Sequence, residues 1–313
     1  MKLYTRVKKD RYLLLPPQFS LLKRGPLELW IREEYREKLL GQGIERLEEL
    51  IARAEGKRHF DGRSLLTSVQ IKDGQGERMV IRSYFHGGWY GKINKDLFLG
   101  GVRPLRELIV SEEASRRGIS TITILAALSE RIFGPFYRGK LISKEISGAV
   151  DLIHYLQGLK ERPASERWKL KTVLIKGIAA MVRKMHDQGI YHADLHLKNV
   201  LIQEKSEGDF TVYLIDFDKS EIRDKIALKD RIKNLMRFNR SAEKLKGKGL
   251  PITFSDRWRF LKEYFHDDRE SIEEVRKDMK RYLFWQKFHR WAWRRSSLFS
   301  TPLNSVLSPH RSA

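Results

Sequence analysis

Tyr191-His192-Ala193-Asp194-Leu195-His196-Leu197-Lys198-Asn199, followed by Leu214-Ile215-Asp216-Phe217-Asp218, decides the reading of this chain. An Asp and an Asn stand five residues apart, and a second Asp ends an apolar run. This layout suits phosphoryl transfer: one carboxylate receives the proton of an attacking hydroxyl, and an amide oxygen with another carboxylate holds the cations that neutralise nucleotide phosphates. An isolated His-x-Asp would be no more than a turn with a capping carboxylate. Here the flanking segments point the same way. Trp168 to Gly189 predicts a helix, with Leu170, Val173, Leu174, Ile178, Met181, Val182 and Met185 on one stripe and Gly189 as its stop. Val200–Ile202 and Thr211–Ile215 predict two short strands joined by a polar turn, so that Asp216 leaves a hairpin facing the Asp194 loop.

From this reading Asp194 is the candidate catalytic base. Asn199 and Asp216 are the candidate ligands of a hard cation such as Mg²⁺. His192 is expected to pack beneath Asp194 and bond to backbone. His196 has two open readings, a reach to phosphate or a solvated side chain.

Working upstream, Lys57 to Tyr84 predicts strands, with a hairpin turn at Lys72–Gly76. In Met79-Val80-Ile81-Arg82, Arg82 occupies the strand position where kinases carry a Lys; a guanidinium can grip phosphate with two nitrogens. Arg103 to Arg117 predicts a helix ended by Gly118. Glu107 is the candidate partner of Arg82, its alternative being an ordinary charge near a helix N-terminus. Gly62 and Arg63 are candidates for a phosphate-covering turn. Tyr137–Ile146 predicts a strand, after which Glu145 and Ile146 would offer backbone groups to adenine. ATP is the expected cosubstrate.

Bulk composition bounds the remaining choices. The chain has 313 residues, 33% of them charged and 41% hydrophobic, enough for two lobes with real cores. No apolar run approaches the roughly 20 residues that cross a bilayer. No cysteine is present, which excludes disulfides and thiolate chemistry. The net charge of +22 favours an anionic partner; its other reading is a generally basic surface. Residues 281–313 hold six Lys/Arg and no acid, interleaved with Tyr282, Phe284, Trp285, Phe288, Trp291 and Trp293. That mixture suits an anionic membrane surface, single-stranded nucleic acid, or a helix packed on the body of the protein.

The chain resembles the 3-deoxy-D-manno-octulosonic acid (Kdo) kinases of the lipopolysaccharide-kinase branch of the protein-kinase-like fold. The resemblance spans about residues 60–240. It is carried by Gly62-Arg63, Arg82-Ser83-Tyr84-Phe85-His86-Gly87-Gly88, Arg106-Glu107, Gly118-Ile119, Tyr137-Arg138, the His192–Asn199 loop and Leu214–Lys219. It implies an α+β, bilobal protein-kinase-like fold with a small β-rich N-lobe and a larger helical C-lobe. The expected division is an N-terminal helical extension over 1–54, the N-lobe over 55–146 and the C-lobe over 147–313. It also implies ATP, Mg²⁺ and transfer of the γ-phosphate to a hydroxyl of lipid A-linked Kdo, the 4-OH being the expected one. Catalysis would fall to Asp194, with His192 and His196 in the same loop, and the metal to Asn199 and Asp216. The expected location is peripheral, on the cytoplasmic face of the inner membrane of a Gram-negative bacterium, with no obligate protein partner and no nucleic acid. Asp218 stands where protein kinases have the Gly of Asp-Phe-Gly, and no Ala-Pro-Glu follows, which argues against a regulated protein kinase. The alternatives are a heptose kinase of the same pathway, an aminoglycoside-type phosphotransferase, and a pseudokinase or nucleic-acid-binding module.

Overall fold

The computed structural model describes residues 4–7, 11–60, 66–72, 76–85, 96–247, 249–266, 268, 270, 272–275 and 277. The chain divides into two units, residues 1–264 and 265–313. In the second, the amide of Ile272 donates to the carbonyl of Asp268 at 3.0 Å, a helical turn. The functional site lies in the first.

That unit begins with an antiparallel hairpin of β1 (Tyr4–Val7) and β2 (Arg11–Leu14). There follow β3 (Phe19–Arg24), β4 (Leu27–Arg32), α1 (Arg36–Gly41), α2 (Leu47–Arg53), β5 (Arg58–Phe60), β6 (Leu66–Gln70), β7 (Arg78–Ser83) and β8 (Phe98–Leu99). Helix α3 (Arg103–Arg116) precedes the long hairpin of β9 (Ile124–Phe133) and β10 (Phe136–Lys144). Together β3 to β10 form one eight-stranded antiparallel sheet in the order β3-β4-β9-β10-β7-β6-β5, with β8 against β10.

Strand residues alternate between the two faces of this sheet. Leu29, Ile31, Met79, Ile81 and Ile142 join Leu39, Ile44, Leu47 and Leu50 of the α1–α2 segment in one buried cluster. Trp30, Ala127 and Leu141 point the other way and join Leu105, Leu108 and Ile109 of α3 in a second. The sheet is therefore sealed on one face by the N-terminal helices and on the other by α3.

This corrects the reading of residues 1–54 as a helical extension. Leu27–Arg32 is a strand, and β3 and β4 continue the N-terminal sheet through the pairing of β4 with β9. The charged residues around it favour helix. Leu29, Trp30 and Ile31 are buried in succession, because both faces of β4 are covered, and this erases the alternation that marks a strand with one wet face.

The second half is mostly helical. It comprises β11 (Ala149–Asp151), α4 (Leu152–Gly158), α5 (Ala164–Asp187), β12 (Ile190–Tyr191), β13 (Val200–Ser206), β14 (Asp209–Leu214), β15 (Glu221–Ile222), α6 (Leu228–Lys246) and α7 (Phe254–Phe265). The Asp151 carboxylate caps α4 by accepting from the amides of Ile153 and His154 at 2.9 and 3.1 Å. Helix α5 buries Leu170, Leu174, Ile178, Val182 and Met185, as its stripe predicts, whereas Val173 is exposed. Gly189 ends it at φ 73°, and a Cβ there would meet the Arg223 carbonyl oxygen at 2.0 Å. Only glycine fits, and the chain turns straight into β12 and the Asp194 loop. The α+β reading, with an antiparallel sheet first and helices later, is what the structure shows.

Candidate active site

The site is assembled from two hairpin ends and a loop. Strand β13 pairs with β14 in register Val200↔Leu214, which brings Asn199 alongside Ile215. The amide of Ile215 donates to the Asn199 carbonyl at 3.0 Å. Across the loop, Asn199 Nδ2 donates to the Asp194 carbonyl at 3.0 Å, so its Oδ1 is turned away from that bond. His192 is fully buried. Its Nε2 bonds to the Ile215 carbonyl at 3.0 Å, while Nδ1 accepts from the Asp194 amide at 3.2 Å. His192 thus has the expected position beneath Asp194, tied to backbone on both sides. Burial depresses its pKa and keeps it neutral. Its ring also packs on Phe217, with centroids 5.0 Å apart.

Asp216 adopts the left-handed conformation, φ 65°, which Asp tolerates better than bulkier residues. One carboxylate oxygen accepts from Arg82 Nη1 at 2.9 Å. Burial opposes the charged form of Asp216, but the guanidinium outweighs it and holds the group below the usual carboxylate range. Arg82 also forms the expected pair with Glu107, contacting both its oxygens. Burial raises the Glu107 carboxyl to about 7 in spite of that cation, and Tyr84 Oη donates to it at 2.5 Å. Glu107 is thus no surface charge of a helix end: it is 1% exposed.

Two further residues complete this cluster. The Tyr84 ring is met by two guanidinium groups, Arg82 at 5.1 Å and Arg103 at 4.7 Å from its centroid. Arg103 also stacks on Phe98 and grips both oxygens of Asp218, with Nε 3.0 Å from Oδ1. A continuous chain of contacts therefore runs from Asp216 through Arg82, Glu107, Tyr84 and Arg103 to Asp218. Sequence reasoning used Tyr84 and Asp218 only as pattern and Arg103 only as a helix start. The signal available was the crowding of aromatic and cationic residues near an unusual Asp.

Asp194 is the exposed member, with 61% of its side chain accessible. Its carboxylate lies 3.4 Å from His196 Nε2, and that contact, reinforced by the charge of Arg237, holds it below the usual range. His196 thus leans on the Asp194 carboxylate, with 29% of its own side chain accessible. The loop is anchored from α6. Asn234 Nδ2 donates to the His192 carbonyl at 3.1 Å, and Ser241 Oγ accepts from the Leu197 amide at 3.3 Å. Arg237 lies between them on the same helical face, at i+3 from Asn234 and i−4 from Ser241. Asn234, fully buried, was overlooked, although a polar residue between the apolar Ile232 and Leu235 is a recognisable sign.

The remaining candidates are less complete. The Glu145 amide donates to the Arg78 carbonyl at 2.8 Å, and the Ile146 carbonyl accepts from Ala149 at 3.1 Å. The Glu145 carboxylate is engaged by Ser68 and Arg78. The expectation for adenine is thereby narrowed to the Glu145 carbonyl and the Ile146 amide. Gly62 and Arg63 lie outside the described residues, as do residues 281–313.

The donor set fits a magnesium ion. Among the described residues no cluster of three or more His, Cys, Asp or Glu could cage a metal. Asn199 and Asp216 offer oxygen from two side chains only, which matches the way Mg²⁺ takes one or two protein ligands and fills its sphere with phosphate and water.

A buried Arg–Glu pair on a strand and a helix, a loop Asp and a hairpin-end Asp define a kinase-type phosphotransferase. The model of the lipopolysaccharide kinase (Kdo/WaaP) family matches residues 53–264. The chain belongs to that family and is a kinase of the protein-kinase-like fold. It is 30% identical over 211 residues to the 3-deoxy-D-manno-octulosonic acid kinase of Haemophilus influenzae, covering 66% of this chain and 82% of that protein. The enzyme of the same name from Pasteurella multocida is 29% identical over 162 residues, 50% of this chain and 63% of its own length. Among solved structures, WaaP in complex with acyl carrier protein superposes with a TM-score of 0.55 at 21% identity, covering 83% of this chain and 97% of that one. That likeness supports the fold alone.

Proposed function

We propose that this kinase transfers the γ-phosphoryl group of ATP to a hydroxyl of lipid A-linked Kdo, the 4-OH being the expected acceptor. The observation that carries the reading is the bonded circuit joining His192, Asp194, Asn199, Asp216 and Arg82. Asp194, accessible and held ionised by its neighbours, orients the acceptor hydroxyl and receives its proton. Asn199 Oδ1 and Asp216 would hold Mg²⁺, which when bound supplies charge neutralisation at the phosphates. Arg82 steadies the nucleotide phosphates and is itself steadied by Glu107.

An acidic acceptor is favoured over a cationic one by the charge around Asp194. Arg237 contributes a positive field at that carboxylate, and the whole chain carries +22. Kdo is a sugar acid whose carboxylate suits such a field. The same charge supports a peripheral position on an anionic inner-membrane face. No helix among the described residues is long and apolar enough to cross a membrane.

The test is phosphate transfer from labelled ATP to a Kdo-bearing lipid A precursor, run beside the same lipid without Kdo, a heptose-bearing core, free sugars and a generic protein. Transfer to the Kdo lipid alone is the expected result. Transfer only to the heptose-bearing core would make this a heptose kinase, and transfer only to protein would overturn the acceptor assignment.

A further inference from the structure

Helix α3 carries Glu107 toward Arg82, and a second acid on the same helix, Glu112, points elsewhere. Five residues of α-helix turn through about 500°, so the two carboxylates leave the axis about 140° apart and about 7.5 Å along it. Glu112 is met by the N-terminal segment. Arg32, the last residue of β4, forms an ion pair with it, and Gln18 Nε2 donates to its other oxygen at 2.8 Å. Both charged side chains are nearly buried, at 13% and 10% exposure. Arg32 is fixed in turn by donating to the Ile124 carbonyl at 2.7 Å and by lying over the Phe19 ring at 4.7 Å. Gln18 is tied to the same turn, its carbonyl accepting from the Glu33 amide at 2.9 Å. Phe19 and Trp30 pack in one buried cluster with Leu105, Leu108 and Ile109 of α3.

We infer that the β3–β4 hairpin is a built-in positioning element for α3, with Arg32 and Gln18 as positioning residues that act on Glu107 through Glu112. In kinases the acid on this helix must be held against the strand cation for transfer to proceed. A helix gripped on one side only can still swing or rotate about that contact. Gripped at two carboxylates on different sides, and packed on Phe19 and Trp30 as well, it is held against both motions. Gln18 and Arg32 precede the stretch matched by the family model, which begins at residue 53. The hairpin thus gives the N-terminal segment a task within the reaction. The inference rests on the phosphotransferase reading of Arg82 and Glu107.

The test compares the full-length wild type with Glu112→Gln, Gln18→Ala and the charge exchange Arg32→Glu/Glu112→Arg. Three readouts are taken: amide hydrogen exchange resolved by segment, melting temperature, and the rate of phosphate transfer per folded molecule at saturating ATP. Glu112→Gln is expected to speed exchange over residues 103–116 tenfold or more, with little change in β7 and β10, and to lower the transfer rate tenfold or more. Gln18→Ala, which keeps the ion pair, should give about a threefold effect on both and serves if Glu112→Gln does not fold. The exchanged pair should recover part of both losses. A merely structural hairpin would lower the melting temperature and speed exchange evenly through the sheet, with an unchanged rate per folded molecule, and that result overturns the inference. If the wild type transfers phosphate to none of the acceptors, the proposed function falls, while exchange over 103–116 still decides whether the hairpin positions the helix.

Discussion

Arg103, at the start of α3, grips the carboxylate of Asp218 with two nitrogens, Nε lying 3.0 Å from Oδ1. The pair joins the helix that carries Glu107 to the third residue of the triplet that carries Asp216. Its side chains are 26% and 16% exposed, so solvent screens it only in part. Asp218→Gly, which gives the triplet its protein-kinase form, leaves Arg103 stacked on Tyr84 and Phe98 without a counter-charge. The expected cost is on the order of 2 kcal/mol of stability. The transfer rate should fall roughly tenfold. Chemical denaturation and initial rates measure the two, and a variant equal to wild type in both would show the pair to be idle.

Protonation of Glu107 should set an acid limb in the rate profile. Burial lifts its carboxyl to about 7, so below that pH Arg82 faces a neutral acid and loses its main anchor. Asp194 and Asp216 are held below the usual carboxylate range and cannot produce this limb. We expect kcat/KM to fall as pH drops through about 7, and Glu107→Gln to be slow but free of the limb. The sign for stability is opposite. The folded state keeps this proton up to about 7 while the unfolded chain releases it near 4.5, so this group's contribution is full below about 4.5 and is lost as pH rises through 7.

His186 should weaken the fold in acid. It is fully buried, its Nδ1 2.6 Å from Tyr264 Oη and its Nε2 3.1 Å from Asn234 Oδ1. Burial lowers its pKa from 6.5 to about 4. The stability it contributes is therefore present above 6.5 and lost as pH falls through 4. The whole effect is about 3 kcal/mol. His186→Gln keeps polar atoms in place and does not titrate. Its melting temperature should fall less than that of the wild type between pH 7 and pH 4. Parallel decline of the two proteins would assign the acid sensitivity to other groups, such as the buried His192.

Asp194 and Asp216 should fail in different ways. Asp194→Asn is expected to cut transfer by about a thousandfold or more with nucleotide affinity and melting temperature retained, since its side chain is largely in solvent. Asp216→Ala should lose magnesium-dependent nucleotide binding. It also leaves Arg82 with Glu107 as its sole described carboxylate partner. Calorimetry with ATP, with and without Mg²⁺, separates the two. Normal magnesium-linked binding by Asp216→Ala would remove it as a ligand.

Much of this arrangement was legible in the residues alone. The Asp194–Asn199 spacing, the apolar stripe of α5, the stop at Gly189 and the hairpin before Asp216 each have a local signature, and each is found in the structure. The Arg82–Glu107 pair was also legible, because a cation on a strand and an acid early in the next helix form a known pattern. What escaped depends on distant packing. Leu27–Arg32 looks helical because nothing nearby reveals that both its faces are covered, by α1–α2 and by α3. Asn234 and Arg103 lie 42 and 115 residues from the groups they hold, His192 and Asp218. Their roles arise only when the chain closes on itself. The lean of His196 on Asp194 has no local signature either, because a loop histidine carries no sign of where it points.

The position of β3 at the end of the sheet's strand order bears on solubility. A terminal strand invites another molecule to add its own backbone and begin an aggregate. Here Pro16 and Pro17 stand just before the strand and lack amide hydrogens, and Lys23 and Arg24 end it with long charged side chains, paired with Glu28 and Glu45 of the same molecule. A second copy adding its backbone along this margin would have to displace long, hydrated, ion-paired side chains, so the ends of β3 discourage self-association.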